Sequence, residues 1–389
     1  MEVKPGYKQT EVNIVPADWN LRQLGAAVVF LDGKRKPVKD TDRAKMRGST
    51  PYYGASGIVD YISQYLFDED LILLGEDGEN ILSRNCRLAF RISGKAWVNN
   101  HAHVLKPNSD VSIGFLTDYL ESLNYERFNS GTAQPKLNKQ TCFGIMLALP
   151  PTKAEQDAIA GALSDADAFI ESLEQLLAKK RCVKQGAMQE LLTGKKRLPG
   201  FSGNWQTEPL GECGEVTMGQ SPPGATYNRT GIGSPLINGP TEFTDLHPIK
   251  VQWTTQPVRF CKTGDLLICV RGSSTGRTNY ADDTYSIGRG VAAIRAKDHN
   301  DTEYLSYQVI SGVSAILAAA TGATFPSVDG ASFRKLAIPL PSPAEQRVIS
   351  AVLSDMIAEI TAVEDKLAKA RKIKQGMMKE LLTGRIRLI

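Results

Sequence analysis

Residues 154–199 and 344–389 align without a gap at an offset of 190, and 25 of the 46 pairs are identical. Each copy closes on nearly the same words, KQGAMQELLTGKKRL from Lys184 and KQGMMKELLTGRIRL from Lys374. A repeat this strong marks a tandem duplication and constrains the fold before any other feature does. The match continues more weakly upstream. SGTAQPKLN at Ser130 lies opposite TGATFPSVD at Thr321, both lead through an apolar strand into Leu-Pro at Leu149 and Leu340, and DWNLRQLG at Asp18 lies opposite NWQTEPLG at Asn204. The chain of 389 residues is too long for one ordinary core. It divides into two globular units of roughly 150 residues, each followed by the repeated segment.

That segment reads as one long helix. Thr152-x-x-Glu155 and Ser342-x-x-Glu345 have the pattern of capping boxes behind proline-rich breakers, with Pro343 at the first helical position. Thr193-Gly194 and Thr383-Gly384 suit the C-terminal caps. Helices are expected over about 153–192 and 343–382, each ~60 Å long at 1.5 Å per residue. Ile159, Leu163, Ala166, Ile170, Leu173 and Leu177 step by four and three, as do Ile349, Leu353, Met356, Ile360, Val363, Leu367 and Ala370. So narrow a seam buries itself against one other helix, and the nearest candidate is the other copy. Packing each helix on its own domain leaves their shared phase and length unexplained. The expected fold is α+β: mixed α/β units over 1–150 and 194–340, and long helices over 151–193 and 341–389.

The globular units carry short β-branched or aromatic runs between glycine and asparagine breaks: PYYGASGIVDYI, LILLGEDGENI and KAWVNNHAHVLKP in the first, and SPLINGPTEF, GDLLICVRGSSTGRTNYAD and GRGVAAIRA in the second. Their loops have chemistry suited to nucleic acid. The stretch from Asp32 holds Lys34, Arg35, Lys36, Lys39, Arg43, Lys45 and Arg47 against three acids. RGSSTGR sets Arg271 and Arg277 around Ser273, Ser274 and Thr275. Tyr53 and Ser56, then Ser130, Gln134 and Lys136, with Thr324 and Ser327 in the second copy, complete the candidate set. Arginine can bridge guanine O6 and N7, and lysine and arginine bind phosphates. Surface loops are polar for no reason but solvation too; the appearance of this chemistry in both halves favours function.

A net charge of +4 does not by itself argue for nucleic acid, so the positions of the charges decide. A composition 42% hydrophobic and 23% charged, without a bilayer-length apolar run and with a first segment MEVKPGYKQTEV unlike a secretory leader, points to a soluble cytoplasmic protein without a membrane role. The cysteines at 86, 142, 182, 213, 261 and 269 form no C-x-x-C pair and suggest reduced thiols.

Catalytic motifs fail on inspection. SPPG at Ser221 puts Gly224 where an amino-methyltransferase box needs an aromatic ring to stack on a flipped base. GSSTGRT at Gly272 is one residue short of a phosphate loop, and Arg277 stands for its lysine. His101 and His103 alternate along an expected strand and face one side, where packing or hydrogen bonding suits them better than a metal without further ligands. GEDG at Gly75 reads as a hairpin turn. A DNA-directed chain without catalytic boxes works through partners.

At this point the chain resembles the specificity subunit of a type I restriction–modification system. The resemblance rests on LPPTKAEQDAI and LPSPAEQRVI opening the helices, the KQG…ELLTG endings closing them, and YYGASGIVDYI, NNHAHVLKP and GTAQPKLN in the first unit. It implies two target recognition domains, each reading half of a split asymmetric DNA sequence. It also implies that the helices pair as an antiparallel coiled coil with pseudo-twofold symmetry and act as a ruler. Two modification (methyltransferase) subunits, which carry S-adenosylmethionine, would dock on this scaffold, and two restriction subunits using ATP and Mg can join; the chain itself would need no cofactor and no metal. The alternatives are a specificity module of a related methylase-nuclease system and a coiled-coil scaffold without a DNA role. The resemblance does not fix the base-reading residues.

Overall fold

The computed structural model describes residues 4–244, 247–319 and 328–388, so Thr324 and Ser327 lie outside the described residues. The chain forms two compact units. One joins Met1–Gln175 to Asp365–Ile389, and the other is Leu176–Glu364. The long helices, Lys153–Leu191 and Pro343–Leu381, have 39 residues each, and each begins in one unit and ends in the other.

In the first unit a four-stranded sheet runs in the order Val28–Phe30, Ala102–Pro107, Leu71–Gly75, Ala89–Ile92. A second runs Gly57–Ile62, Arg47–Gly54, Lys95–Val98, Phe67–Asp68, with one parallel pair, Arg47–Gly54 beside Lys95–Val98. The second unit repeats both. Gly214–Met218, Val291–Ala296, Leu266–Cys269 and Thr278–Tyr280 form one sheet. The other holds Trp253–Thr254, Ser234–Ile237, Tyr285–Ile287 and Phe260–Cys261, extended at its edge by Tyr227–Asn228, again with one parallel pair, Ser234–Ile237 beside Tyr285–Ile287. The duplication therefore persists in topology where the sequence match has faded.

The apolar runs at the centre explain this layering. Successive side chains of a strand point to opposite faces, so a strand covered on both sides is apolar throughout. Ile72 and Leu74 enter the core beneath the helix Ile113–Ser122, while Leu71 and Leu73 pack toward the second sheet. Leu266 and Ile268 separate from Leu267 and Cys269 in the same way.

Within each unit the two helix halves run antiparallel. In the first, Glu155 meets Arg387, Asp167 meets Lys374 and Glu174 meets Arg371, one number rising as the other falls. In the second, Arg197 meets Glu345 and Lys180 meets Glu359. Leu173, Leu177, Ile360, Val363 and Leu367 are buried, and Ala166, Ile170 and Met356 half-buried. The ends of the seam serve two purposes. Ile159 and Leu163 share a core with Phe115, Leu381 and Leu382, and Ile349 and Leu353 share one with Tyr304, Tyr307, Leu191 and Leu192.

The helix starts depart from the expected capping boxes. Thr152 and Ser342 do accept the amides of Glu155 and Glu345, at 3.2 and 3.4 Å. The carboxylates, instead of reaching back to the cap, take arginine forks: Arg197 grips Glu345 with two bonds of 2.7 Å, and Arg387 grips Glu155 while also bonding Asp18 at 3.0 Å. Both arginines follow a helix C-terminus, where Gly194 and Gly384 turn the chain at φ +70° and +69°, a conformation that favours glycine.

Gly75–Gly78 is not a hairpin turn. The chain leaves the strand Leu71–Gly75 for a short helix, Asn80–Ser83, and Asn80 closes the connection by bonding both the amide and the carbonyl of Cys86. No helix among the described residues is long and apolar enough to cross a membrane.

Candidate nucleic-acid interface

Three segments of the first unit meet at the turn between the strands Lys95–Val98 and Ala102–Pro107. The Lys36 amide donates to Val98 O (3.2 Å), the Asn99 amide to Tyr53 O (3.1 Å) and the Glu76 amide to His101 O (2.8 Å). A fourth is tied on by Leu137 N to Glu76 O (2.7 Å). The second unit makes the same junction: Gln220 N to Ile287 O, Gly288 N to Ile237 O, Val270 N to Gly290 O and Val328 N to Val270 O. Most of the candidate residues are carried on these converging segments. Arg43 lies farther along the basic stretch, and Ser56 occupies the turn between Arg47–Gly54 and Gly57–Ile62.

The basic stretch divides into cations held by the fold and cations presented to solvent. Arg35 is bonded to Glu76 (2.6 Å) and Ala102 O (2.7 Å), and Arg43 to Asp60 (3.0 Å) and Asp40 (2.6 Å) while lying over the Tyr52 ring. Lys34, Lys36 and Lys39 are exposed. Tyr53 is half-buried against Phe90, and Ser56 is exposed. Ser130 donates to Lys136 O (3.0 Å), closing a loop that leaves Gln134 exposed and brings the Lys136 ammonium to 3.5 Å from Glu76. Glu76 thus joins Arg35 to Lys136.

His101 and His103 do not share a site. His101 precedes its strand and lies 2.9 Å from Asp77 with its side chain half exposed. His103 is buried, between Asp32 (2.8 Å) and Leu137 O (2.8 Å). Burial alone would lower its pKa, but the hydrogen bond to Asp32, the neighbouring Cys142 sulfur and the charge of Asp32 together outweigh that and push it up to about 10. The imidazolium then donates from both ring nitrogens. Asp32, although burial works against its ionisation, is held below the usual carboxylate range by His103 and the Val104 amide. No group of three or more His, Cys, Asp or Glu among the described residues could hold a metal ion.

In the second unit Arg277 donates to the carbonyls of Pro240 (3.2 Å) and Phe243 (2.9 Å), pinning one loop to another. Ser273 is exposed, Ser274 and Thr275 are half-buried, and Thr275 donates to Gly272 O. Arg271 is exposed at a cleft of about 900 Å³ lined also by Ser221, Tyr227, Asn238 and Arg289. Arg289 and Asn238 escaped the sequence reading because neither stands in a charge cluster; the glycines on either side of Arg289 were the available signal. Glu76, Asp32 and His103 escaped it as a network because their partners are distant in sequence.

The sequence profile described as the type I restriction modification DNA specificity domain matches residues 16–179 and again 202–371. A Methanocaldococcus jannaschii protein provisionally designated the specificity subunit of the type I restriction enzyme MjaX is 26% identical, over 98% of this chain and 97% of its own. The crystal structure of a type I restriction–modification S subunit from M. genitalium superposes with a TM-score of 0.65 at 14% identity, covering 98% of both chains. A chain from a structural study of complex assembly and conformational transition in the type I R-M system gives 0.60 at 22% identity, covering 96% of this chain and 99% of that one. With two copies of the domain spanning most of its length, the chain belongs to the type I restriction modification DNA specificity family.

Proposed function

We propose that this chain reads a bipartite sequence in duplex DNA, one half-site per unit, and holds two methyltransferase subunits that methylate adenine on opposite strands. Specificity subunits of type I systems are non-catalytic, so the chemistry belongs to partner chains. S-adenosylmethionine would enter with the methyltransferases, and ATP and Mg with any restriction subunits. The observation that carries the reading is the repeated four-segment junction, which in each unit presents side chains from separate loops around one turn. Lys34, Lys36, Lys39, Ser56 and Gln134 would meet DNA from the first unit, and Arg271 and Ser273 from the second. Lysines contact phosphates and supply affinity without sequence, whereas base edges supply the discrimination.

The test is to map methylated adenines in cells expressing the chain with its methyltransferase subunit. Two short half-sites separated by a fixed non-specific spacer are expected. A continuous motif, or methylation that persists without this chain, would refute the reading.

A further inference from the structure

We infer that Arg271 and Arg289 are the specificity-determining pair of the second unit, and that they select guanine in the half-site it reads. The inference rests on the proposed DNA reading and concerns residues that no relationship to other proteins assigns. Both arginines line the same cleft, with Tyr227, Asn238 and Ser221, and no carboxylate is among its described lining residues. Three arginines of this unit are occupied: Arg277 by Pro240 O and Phe243 O, Arg295 by Asp265 and Thr263 O, and Arg334 by Gly330 O and Val216 O, while the exposed Arg229, Arg259 and Arg347 lie outside the lining of this cleft. Arg271 and Arg289 have no such partner among the described residues, and both are exposed.

Their backbones are nonetheless fixed. The Ser221 hydroxyl accepts the Arg289 amide at 3.1 Å, and the amides one residue before and two residues after it, Gly288 and Val291, bond Ile237 O and Gly288 O. The glycines on either side of Arg289 are packed tightly against Asn238, one on its side chain and one on its backbone. A Cβ on Gly288 would lie 2.0 Å from Asn238 Oδ1, and one on Gly290 would lie 2.4 Å from Asn238 O. Asn238 is further held by its amide on Gln252 (3.0 Å). Two unpaired forks on a rigid, acid-free rim match an edge rich in acceptors. In the major groove that edge is guanine, with O6 and N7 adjacent.

The first unit sharpens the argument, because its junction is made by the same hydrogen bonds. The amide of Val270 there corresponds to that of Glu76, which sets Asp77 in the place of Arg271 and Asn100 in the place of Arg289. Asp77 is paired with His101 at 2.9 Å. One junction offers two free cations and the other a carboxylate and an amide. The two half-sites are therefore read by different chemistry, and guanine selection by paired arginines belongs to the second unit alone.

The experiment uses the full chain with its methyltransferase subunits, first to define the bipartite site, then to measure binding to duplexes in which each guanine is replaced singly by 7-deazaguanine, which lacks the N7 acceptor. In one half-site, replacing a guanine should weaken binding about 10-fold to 100-fold. Arg271→Ala or Arg289→Ala should lose that sensitivity and, in methylation mapping, relax the same position with the other half-site unchanged. Arg271→Lys, which keeps the charge but not the fork, should also relax it. Equal weakening on specific and scrambled duplexes would make these arginines phosphate contacts and overturn the assignment. So would indifference of both half-sites to 7-deazaguanine. A parent complex without any sequence preference would instead sink the underlying DNA reading.

Discussion

Neighbouring cations of the basic stretch have opposite duties. Arg35 sits between Glu76 and the Ala102 carbonyl with its side chain 13% exposed, whereas Lys36 projects into solvent. Arg35→Ala leaves a largely buried carboxylate with only the longer contacts to Lys136 (3.5 Å) and His103 (3.8 Å), and should lower stability by about 2–4 kcal/mol. Lys36→Ala should leave the thermal midpoint unchanged and flatten the salt dependence of DNA binding, since one phosphate contact is lost whatever the sequence. His103 gives a pH prediction. Its pKa in the folded chain, about 10, lies above the ordinary 6.5, so the stability it contributes is complete below about 6.5 and is lost as pH rises through about 10. Asp32, depressed from 3.8, limits the other side: its contribution disappears as pH falls through its lowered value. Denaturant titrations should show the parent's advantage over His103→Gln shrinking between pH 7 and 10; an advantage that grows over that interval would mean a neutral imidazole.

At the scale of elements, each long helix is fastened by its ends as well as by its seam. Leu353 is fully buried beside Tyr304, Tyr307, Leu191 and Leu192, whereas Ile357, one turn on, is 37% exposed. Leu353→Asp should therefore destabilise by on the order of 4 kcal/mol, and Ile357→Asp by much less, in the same thermal melt. The Arg197 fork on Glu345 makes a second test. The Glu345 side chain is 2% exposed, so removing the arginine alone strands a charge. Arg197→Met should be more damaging than the double change Arg197→Met with Glu345→Leu, because the double removes the stranded carboxylate too. Additive losses in that cycle would show that the fork carries no coupling.

For the molecule as a whole, the proposed ruler predicts a spacing. Since each helix contributes to both units, both must be lengthened together. Seven residues added after Gln175 and seven after Glu364 keep the seam in register, because its period is 3.5. The insertion adds ~10.5 Å at 1.5 Å per residue, equal to about three base pairs at 3.4 Å each. Methylation mapping should return the same half-sites with a spacer about three base pairs longer. An unchanged spacer at full activity would remove the helices from the role of ruler.

The duplication, the two helices and the short strands were legible in the sequence because each is written in the chain itself: a repeated segment, a period of three and four, a cap, a β-branched or aromatic run between glycine and asparagine breaks. The α+β fold followed from these, and the family profile places the chain in the group those motifs resemble. What local pattern could not decide was partnership. Glu155 and Glu345 read as cap residues, but their carboxylates are held by arginines 232 and 148 positions away. For His103 the strand pattern pointed to packing or hydrogen bonding without a partner, and the fold set Asp32 and Leu137 against its two nitrogens. Arg271, Arg277 and Arg289 have the same side chain, and composition treats them alike. Tertiary structure separates them, since a guanidinium beside carbonyls or carboxylates becomes a clamp, while one on an open, acid-free rim keeps its donors for a ligand.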